Sequence, residues 1–301
     1  MMQKIRDTFS TRPIIFSTRP IIFTLMLVLA LAGYASAQNT ITGTWKGKVK
    51  DDSAEKLHIS FNTGDDGNHQ IGTGIKFADL DGLSIDQVTG SKRSVNFSLK
   101  REAGNVVMTG DFENGKGSGA FTFTPNSEFV SEMRSLGFND ISTRKLFSAA
   151  VLDVKASTAR DIKSAGLEGI DFDDVFKATI FKIDSSYMRE MNSAGFKNLD
   201  MEDLVKARIF KIDSKYAKDV LAMGFGDQSL EELVKFRIFK VTPEFLADMK
   251  TVGLNNLDAG DVVQLRIFKI NSKFIEAAKA KGFKNPSVEK LVELKIFGKI
   301  K

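Results

Sequence analysis

Two histidines, His58 and His69, are the first residues to test for chemistry, because imidazole is the commonest metal ligand and general base. They stand eleven residues apart, with no cysteine anywhere and no H-E-x-x-H. A zinc site would lack its remaining ligands. The paired carboxylates Asp173-Asp174 and Glu231-Glu232 have the makings of an acid and base pair. Each pair, however, directly follows a helix-capping position, where acids complement the positive end of a helix dipole. Gly115-Lys116-Gly117-Ser118-Gly119 is as glycine-rich as a phosphate loop. It lies between two alternating apolar runs with no helix behind it, so a phosphate cradle is not expected. The sequence contains no G-x-S-x-G, Walker loop or dinucleotide fingerprint. The expectation is a non-enzymatic protein with no metal or cofactor.

The next candidates are cations. The tetrapeptide Arg-Ile-Phe-Lys occurs at 208–211, 237–240 and 266–269, and Lys295-Ile296-Phe297 is a fourth version. Ile and Phe are expected in the core, filling the joint between one unit and the next. Arg208, Arg237, Arg266 and Lys295 fall on the same helix face as apolar residues such as Leu233 and Val234. A cation there must run its methylenes along the apolar surface or find acceptors. Two uses follow. It can bond the free carbonyls of a neighbouring helix end or a capping Asp such as Asp213, or it can form a cationic ladder that binds an acidic partner.

The elements that must position these residues divide into two unlike halves. From Gln38 to about Thr124, short alternating runs are broken by Gly, Asn and Asp. Strands are expected at 41–50, 56–62, 71–77, 94–100, 105–112 and 118–123, with a helical turn possible in 79–87. Asn114-Gly115 between two such runs is a hairpin signal. The predicted fold here is a small antiparallel β-meander, curled or barrel-like. Its single tryptophan sits in Gly43-Thr44-Trp45-Lys46-Gly47, which resembles the first-strand signature of lipocalins over three letters only. Trp45 either plugs the sheet or lines a cavity for a small apolar ligand. A pocket beside it would mark a carrier.

From Pro125 the texture becomes helical. Glycines stand at 137, 166, 195, 224, 253 and 282, each step being 29 residues. Six units follow: 125–153, 154–182, 183–211, 212–240, 241–269 and 270–298. A fixed period of this size marks an αα-repeat solenoid, whose units bury their apolar faces on one another. Each unit reads as two capped helices. Asp184, Asp213, Thr242 and Asn271 cap the first, and Ser142, Asp171, Asp200, Ser229, Asp258 and Ser287 cap the second. The glycine supplies the left-handed residue that ends the first helix. Asp153 replaces the usual Lys where the first unit should meet the β domain.

The β segment carries GTWKG, DLDGL, REAG and FTFTPN, and the fifth unit carries Thr242-Pro243-Glu244-Phe245 and Arg266-Ile267-Phe268. These pieces resemble poorly characterised exported bacterial proteins in which a small β module precedes helical repeats. Similar repeats follow the peptidase part of some antirepressor-type (BlaR1-like) sensors. The resemblance covers nearly all of the chain after residue 37. It implies no catalytic residue, because the peptidase's zinc motif is absent.

The amino terminus reads as a targeting segment. Lys4, Arg6, Arg12 and Arg19 precede the apolar run 21–32, and Ala35-Ser36-Ala37 follows. Cleavage between Ala37 and Gln38 is expected, giving a bacterial exported protein, periplasmic or secreted, with no stable membrane span. Retention as a signal anchor is the alternative. The net charge of +5 includes four bases and Asp7 in the first 37 residues, so about +2 remains on the rest. That balance excludes nucleic-acid binding. The expected role is a protein-interaction or envelope-sensing scaffold, its partner another envelope protein.

Overall fold

The computed structural model describes residues 40–49, 55–63 and 69–300. The targeting segment and the Ala37–Gln38 junction lie outside the described residues. The architecture is α+β in two parts, a curled antiparallel sheet followed by helices.

The strands are β1 (Ile41–Val49), β2 (Lys56–Thr63), β3 (His69–Lys76), β4 (Leu80–Asp81), β5 (Arg93–Arg101), β6 (Gly104–Glu113) and β7 (Lys116–Pro125). Their order is β3-β2-β1-β7-β6-β5-β4, antiparallel at every pairing. The sheet is therefore two meanders joined where the last strand pairs with the first. It curls into a half-barrel rather than a closed barrel. The expected strands all form, and β4 is an additional short one. Between β4 and β5 lies α1 (Ile85–Thr89), closed at its start by a reciprocal Ser84–Gln87 capping box. Asn114 and Gly115 adopt φ of 48° and 78°, as the Asn-Gly hairpin requires.

Strand alternation sorts the two faces. Trp45, Leu57, Phe61, Phe97, Met108, Phe112, Phe121 and Phe123 point inward and are buried. Lys46, Lys48, His58 and Ser118 point outward.

Twelve α-helices follow β7 among the described residues. They are α2 (Ser127–Ser135), α3 (Thr143–Leu152), α4 (Ala156–Ser164), α5 (Phe172–Phe181), α6 (Ser185–Ser193) and α7 (Met201–Ile209). Then come α8 (Ser214–Val220), α9 (Leu230–Ile238), α10 (Pro243–Thr251), α11 (Ala259–Ile267), α12 (Ser272–Ala280) and α13 (Val288–Ile296). Their ends are set by local chemistry. Asp184, Asp213, Thr242 and Asn271 each accept a backbone N–H three residues on, and so do the caps of α3, α5, α7, α9, α11 and α13. The six spaced glycines have φ between 84° and 97°, the left-handed value that only glycine adopts without strain.

Helices touch the helix two places further on, in two rows. One row contains α2, α4, α6 and α8, with α10 on α12. The other runs α3, α5, α7, α9, α11, α13. The helical part begins by closing the sheet. Helix α3 lies across the concave face, against β1, β3, β5, β6 and β7, and Phe147 inserts among Phe61, Phe121 and Phe123. Two polar contacts complete the junction. Arg101 Nε stands 3.5 Å from Asp153, and Glu102 Oε2 accepts from Ala156 N–H at 2.9 Å.

Candidate functional site

Arg208 and Arg237 lie near the C-terminal ends of α7 and α9. Each donates from Nη2 to a main-chain carbonyl just beyond an earlier helix, Arg208 to Lys182 after α5 at 2.7 Å and Arg237 to Lys211 after α7 at 2.9 Å. Arg266 donates from Nε to the Phe239 carbonyl at 2.7 Å. The accepting carbonyls are helix-end groups with no partner inside their own helix. Lys182 and Lys211 hold them with φ of 54° and 53°, unusual for a residue carrying a Cβ.

The same guanidinium groups cover aromatic rings on the helix that precedes their own. Arg208 Cζ is 3.6 Å from the Tyr187 centroid and Arg237 Cζ is 3.5 Å from that of Tyr216. Arg266 over Phe245 (4.8 Å) and Lys295 over Phe274 (4.7 Å) repeat the arrangement more loosely. Each arginine thus joins three helices, through its stem, its stacked plane and its N–H donors. This geometry matches the joint use of these cations. Arg237 also forms part of a groove of about 730 Å3 with Lys215, Tyr216, Lys240 and Glu244. Burial pushes the Tyr187 phenol up to about 12, against the opposing influence of the Arg208 cation, and raises Tyr216 as well.

The isoleucines of the same tetrapeptides are not core residues. Ile180, Ile209, Ile238, Ile267 and Ile296 are between 45 % and 60 % exposed. The joint is filled instead by the residue three places later, Ile183, Ile212, Val241 and Ile270, all buried, while the phenylalanines are half-buried at most sites. The reason is the left-handed turn at Lys182, Lys211, Lys240 and Lys269. It turns the chain immediately after the helix, so the next apolar residue points inward, while the isoleucine lies at the margin of the buried helix arc, which in α9 is Leu230, Leu233, Val234 and Phe236. Those four lysines are exposed, and their ammonium groups have no hydrogen-bond or ion-pair partner among the described residues.

Trp45 is fully buried. Its ring meets Phe97 edge-on at 5.3 Å and Phe112 at 5.2 Å, and Nε1 donates to the Thr109 carbonyl at 3.1 Å. Gly119 lies opposite Trp45 in the register, and a Cβ there would stand 1.9 Å from the Thr109 carbonyl oxygen. The close backbone approach explains the glycine. Trp45 is therefore part of the packed interior, as the plug reading expects.

A cleft of about 820 Å3 does open on the β part, but Trp45 does not line it. Its residues come from β1, β2, β3, β6 and β7, and they include Lys46, Lys48, His58, Lys92 and Lys116. The lining mixes these cations with Asp111 and Glu113 and with apolar surface from Ile59 and Phe112. Sequence reading missed this cluster because it depends on β1 pairing with β7, which are distant in the chain.

Among the described residues, no group of three or more His, Cys, Asp or Glu side chains is arranged to hold a metal ion, and no helix is long and apolar enough to cross a membrane. Comparison with protein-family models, curated proteins and solved structures finds no match for this chain.

Proposed function

We propose that this chain is an exported, non-enzymatic interaction scaffold. A β module, residues 38–124, begins a solenoid of six αα-repeats, residues 125–301, whose outer edge takes a segment of another envelope protein. The observation that carries the reading is the row of isoleucines at 180, 209, 238, 267 and 296, each about half exposed and each 29 residues from the next. Side chains on a soluble surface are seldom both apolar and repeated in register. The joints between helices do not use them. Covering each would contribute on the order of 1 kcal/mol.

The neighbouring charges select the occupant. Lys182, Lys211, Lys240 and Lys269 stand two residues beyond four of these isoleucines, and their ammonium groups have no partner among the described residues. An extended segment that alternates aliphatic and acidic side chains complements this edge. The contact pattern of helices two places apart, and the recurrence of the arginine staple, support the repeat stacking that such a ladder needs. Similarity of the repeats to those of antirepressor-type sensors favours a sensing role in the envelope, and the A-x-A junction at Ala35–Ala37 favours export.

Panning a random peptide display library on the purified chain tests the reading. Enriched peptides should combine aliphatic with acidic residues. Their binding should weaken at high salt and disappear in the triple variant Ile209→Ser, Ile238→Ser, Ile267→Ser, while its melting temperature stays near that of the parent. Peptides that bind this variant unchanged would overturn the proposal.

A further inference from the structure

We infer that the outer face of the sheet carries a binding site for a small multivalent oxyanion, a molecule bearing two or more phosphate or carboxylate groups. The register sets up the site. Across β1 and β7, Lys48 faces Lys116; across β1 and β2, Lys48 also faces His58. One row away, Lys46 sits between Ser60 and Ser118. All of these line the 820 Å3 cleft, together with Lys92.

Like charges directly opposite one another on a sheet are destabilising. Native sheets usually relieve such a pair with an intervening acid. Among the described residues, the acids nearest the pair do not do so. Glu113 faces Lys116 across β6 and β7, yet no ion pair joins them. Asp111 accepts a hydrogen bond from Ser94 at 2.6 Å. Among the described residues, the ammonium groups of Lys46, Lys48, Lys92 and Lys116 have no acceptor. Four cations around one cleft, against Asp111 and Glu113 in the same lining, concentrate positive charge in a chain that is otherwise almost balanced. Ser60 and Ser118 flank Lys46; the Ser60 hydroxyl donates to the Lys46 carbonyl at 3.5 Å, and that of Ser118 can orient a hydroxylated or acidic ligand.

The size of the cleft selects a small molecule. Its volume lies within the range of sites that enclose compact ligands. The glycines at 72 and 74 keep the β3 side low, since a Cβ on Gly74 would come within 3.2 Å of His58 Cε1. Asp111 and Glu113 on the opposite side disfavour an extended polyanion that would run across the whole sheet. The site is independent of the isoleucine edge, which lies on the helices.

Titration of the purified chain with tripolyphosphate and, separately, with citrate tests the inference. Ionic strength is held constant so that screening does not imitate binding. Calorimetry and the fluorescence of Trp45, next to Lys46 in the chain, report the result. At least one probe should bind saturably and raise the melting temperature. Binding of tripolyphosphate alone assigns phosphate, citrate alone assigns carboxylate, and both together assign an unselective oxyanion site. Lys48→Gln and Lys116→Gln should each weaken binding about tenfold or more.

The unliganded variants separate a binding role from a structural one. If the lysines are held together for a ligand, Lys48→Gln without probe melts at the same temperature as the parent or higher. The triple isoleucine variant retains anion binding. Absence of saturable binding by both probes, or binding untouched by either lysine substitution, would overturn the inference. So would a Lys48→Gln protein that melts well below the parent.

Discussion

Phe147 of α3 lies parallel to Phe121 of β7, with ring centroids 5.0 Å apart and planes 8° from coplanar. The same ring meets Phe61 edge-on at 5.5 Å. One helical residue therefore closes the concave face of the sheet. Phe147→Ala would leave a cavity lined by aromatic rings in a place that a stiff sheet cannot collapse to fill. The expected cost is about 3–5 kcal/mol, measured by urea denaturation. A loss under about 1 kcal/mol would mean that the helix and sheet do not stabilise each other.

The boundary near residue 124 thus separates secondary structure more cleanly than it separates the core. Residues 125–301 made alone should give a helical far-UV spectrum, because helices α5 to α13 keep their neighbours. Helix α3, stripped of its cover over Phe147, Ala149 and Ala150, should lose its amide protection. Hydrogen exchange followed by mass spectrometry checks this. Full protection of 143–152 in the fragment is the contrary outcome.

What was legible in the sequence was what local chemistry decides. Asp171, Asp200 and Ser229 cap because their side chains reach N–H groups two or three residues away, and Gly195 ends a helix because its φ of 97° excludes a Cβ. The 29-residue spacing of the glycines was equally plain. The direction of Ile238 was not. A period gives the spacing of residues but not which arc of a helix is buried, and Ile238 lies at the margin of the arc formed by Leu230, Leu233, Val234 and Phe236. The lysine cluster was hidden for a different reason. Lys48 and Lys116 meet only because the first and last strands of the sheet pair.

The junction has its own cap. Helix α4 begins after Lys155, which offers no capping side chain. Glu102, on the turn between β5 and β6, accepts the Ala156 N–H instead. Glu102→Ala should cost about 1 kcal/mol, and exchange of the first α4 amides should quicken. Glu102→Gln retains an acceptor oxygen and should recover most of the loss. Equal losses in both variants would locate the effect in the charge of Glu102 rather than in its hydrogen bond.

The arginine staple predicts coupling between specific pairs. Arg237→Ala removes a stacked cation and leaves the Lys211 carbonyl without its donor, so it should cost about 1–2 kcal/mol. Arg237→Lys keeps the charge but not the planar stack and should fall between. In a double-mutant cycle with Tyr216→Leu, the coupling should be about 0.5–1 kcal/mol. A coupling near zero would assign the arginine to the groove it lines rather than to the joint.

The ring beneath the neighbouring arginine makes the array sensitive to alkali. Tyr187 is buried, its hydroxyl donates to the Ile212 carbonyl at 3.3 Å, and burial raises its phenol from 10.0 to about 12. Arg208 above the ring pulls the other way but does not prevail. The folded state therefore holds this proton more tightly than the unfolded chain does. Below pH 10 both states are protonated and the contribution to stability is fully present. Between pH 10 and about 12 the unfolded chain ionises first, so stability falls as pH rises, by on the order of 2 kcal/mol from Tyr187. Tyr216, raised for the same reason, adds to the trend in the same direction. Denaturation midpoints taken from pH 8 upward should decline through this window, and the phenolate absorbance of both residues in the native protein should lag behind that of free tyrosine. Tyr187→Phe removes the titrating group and should flatten the decline. If the native absorbance instead rises with an ordinary tyrosine midpoint, the rings are reached by solvent and the stacked joint opens far more readily than its geometry implies.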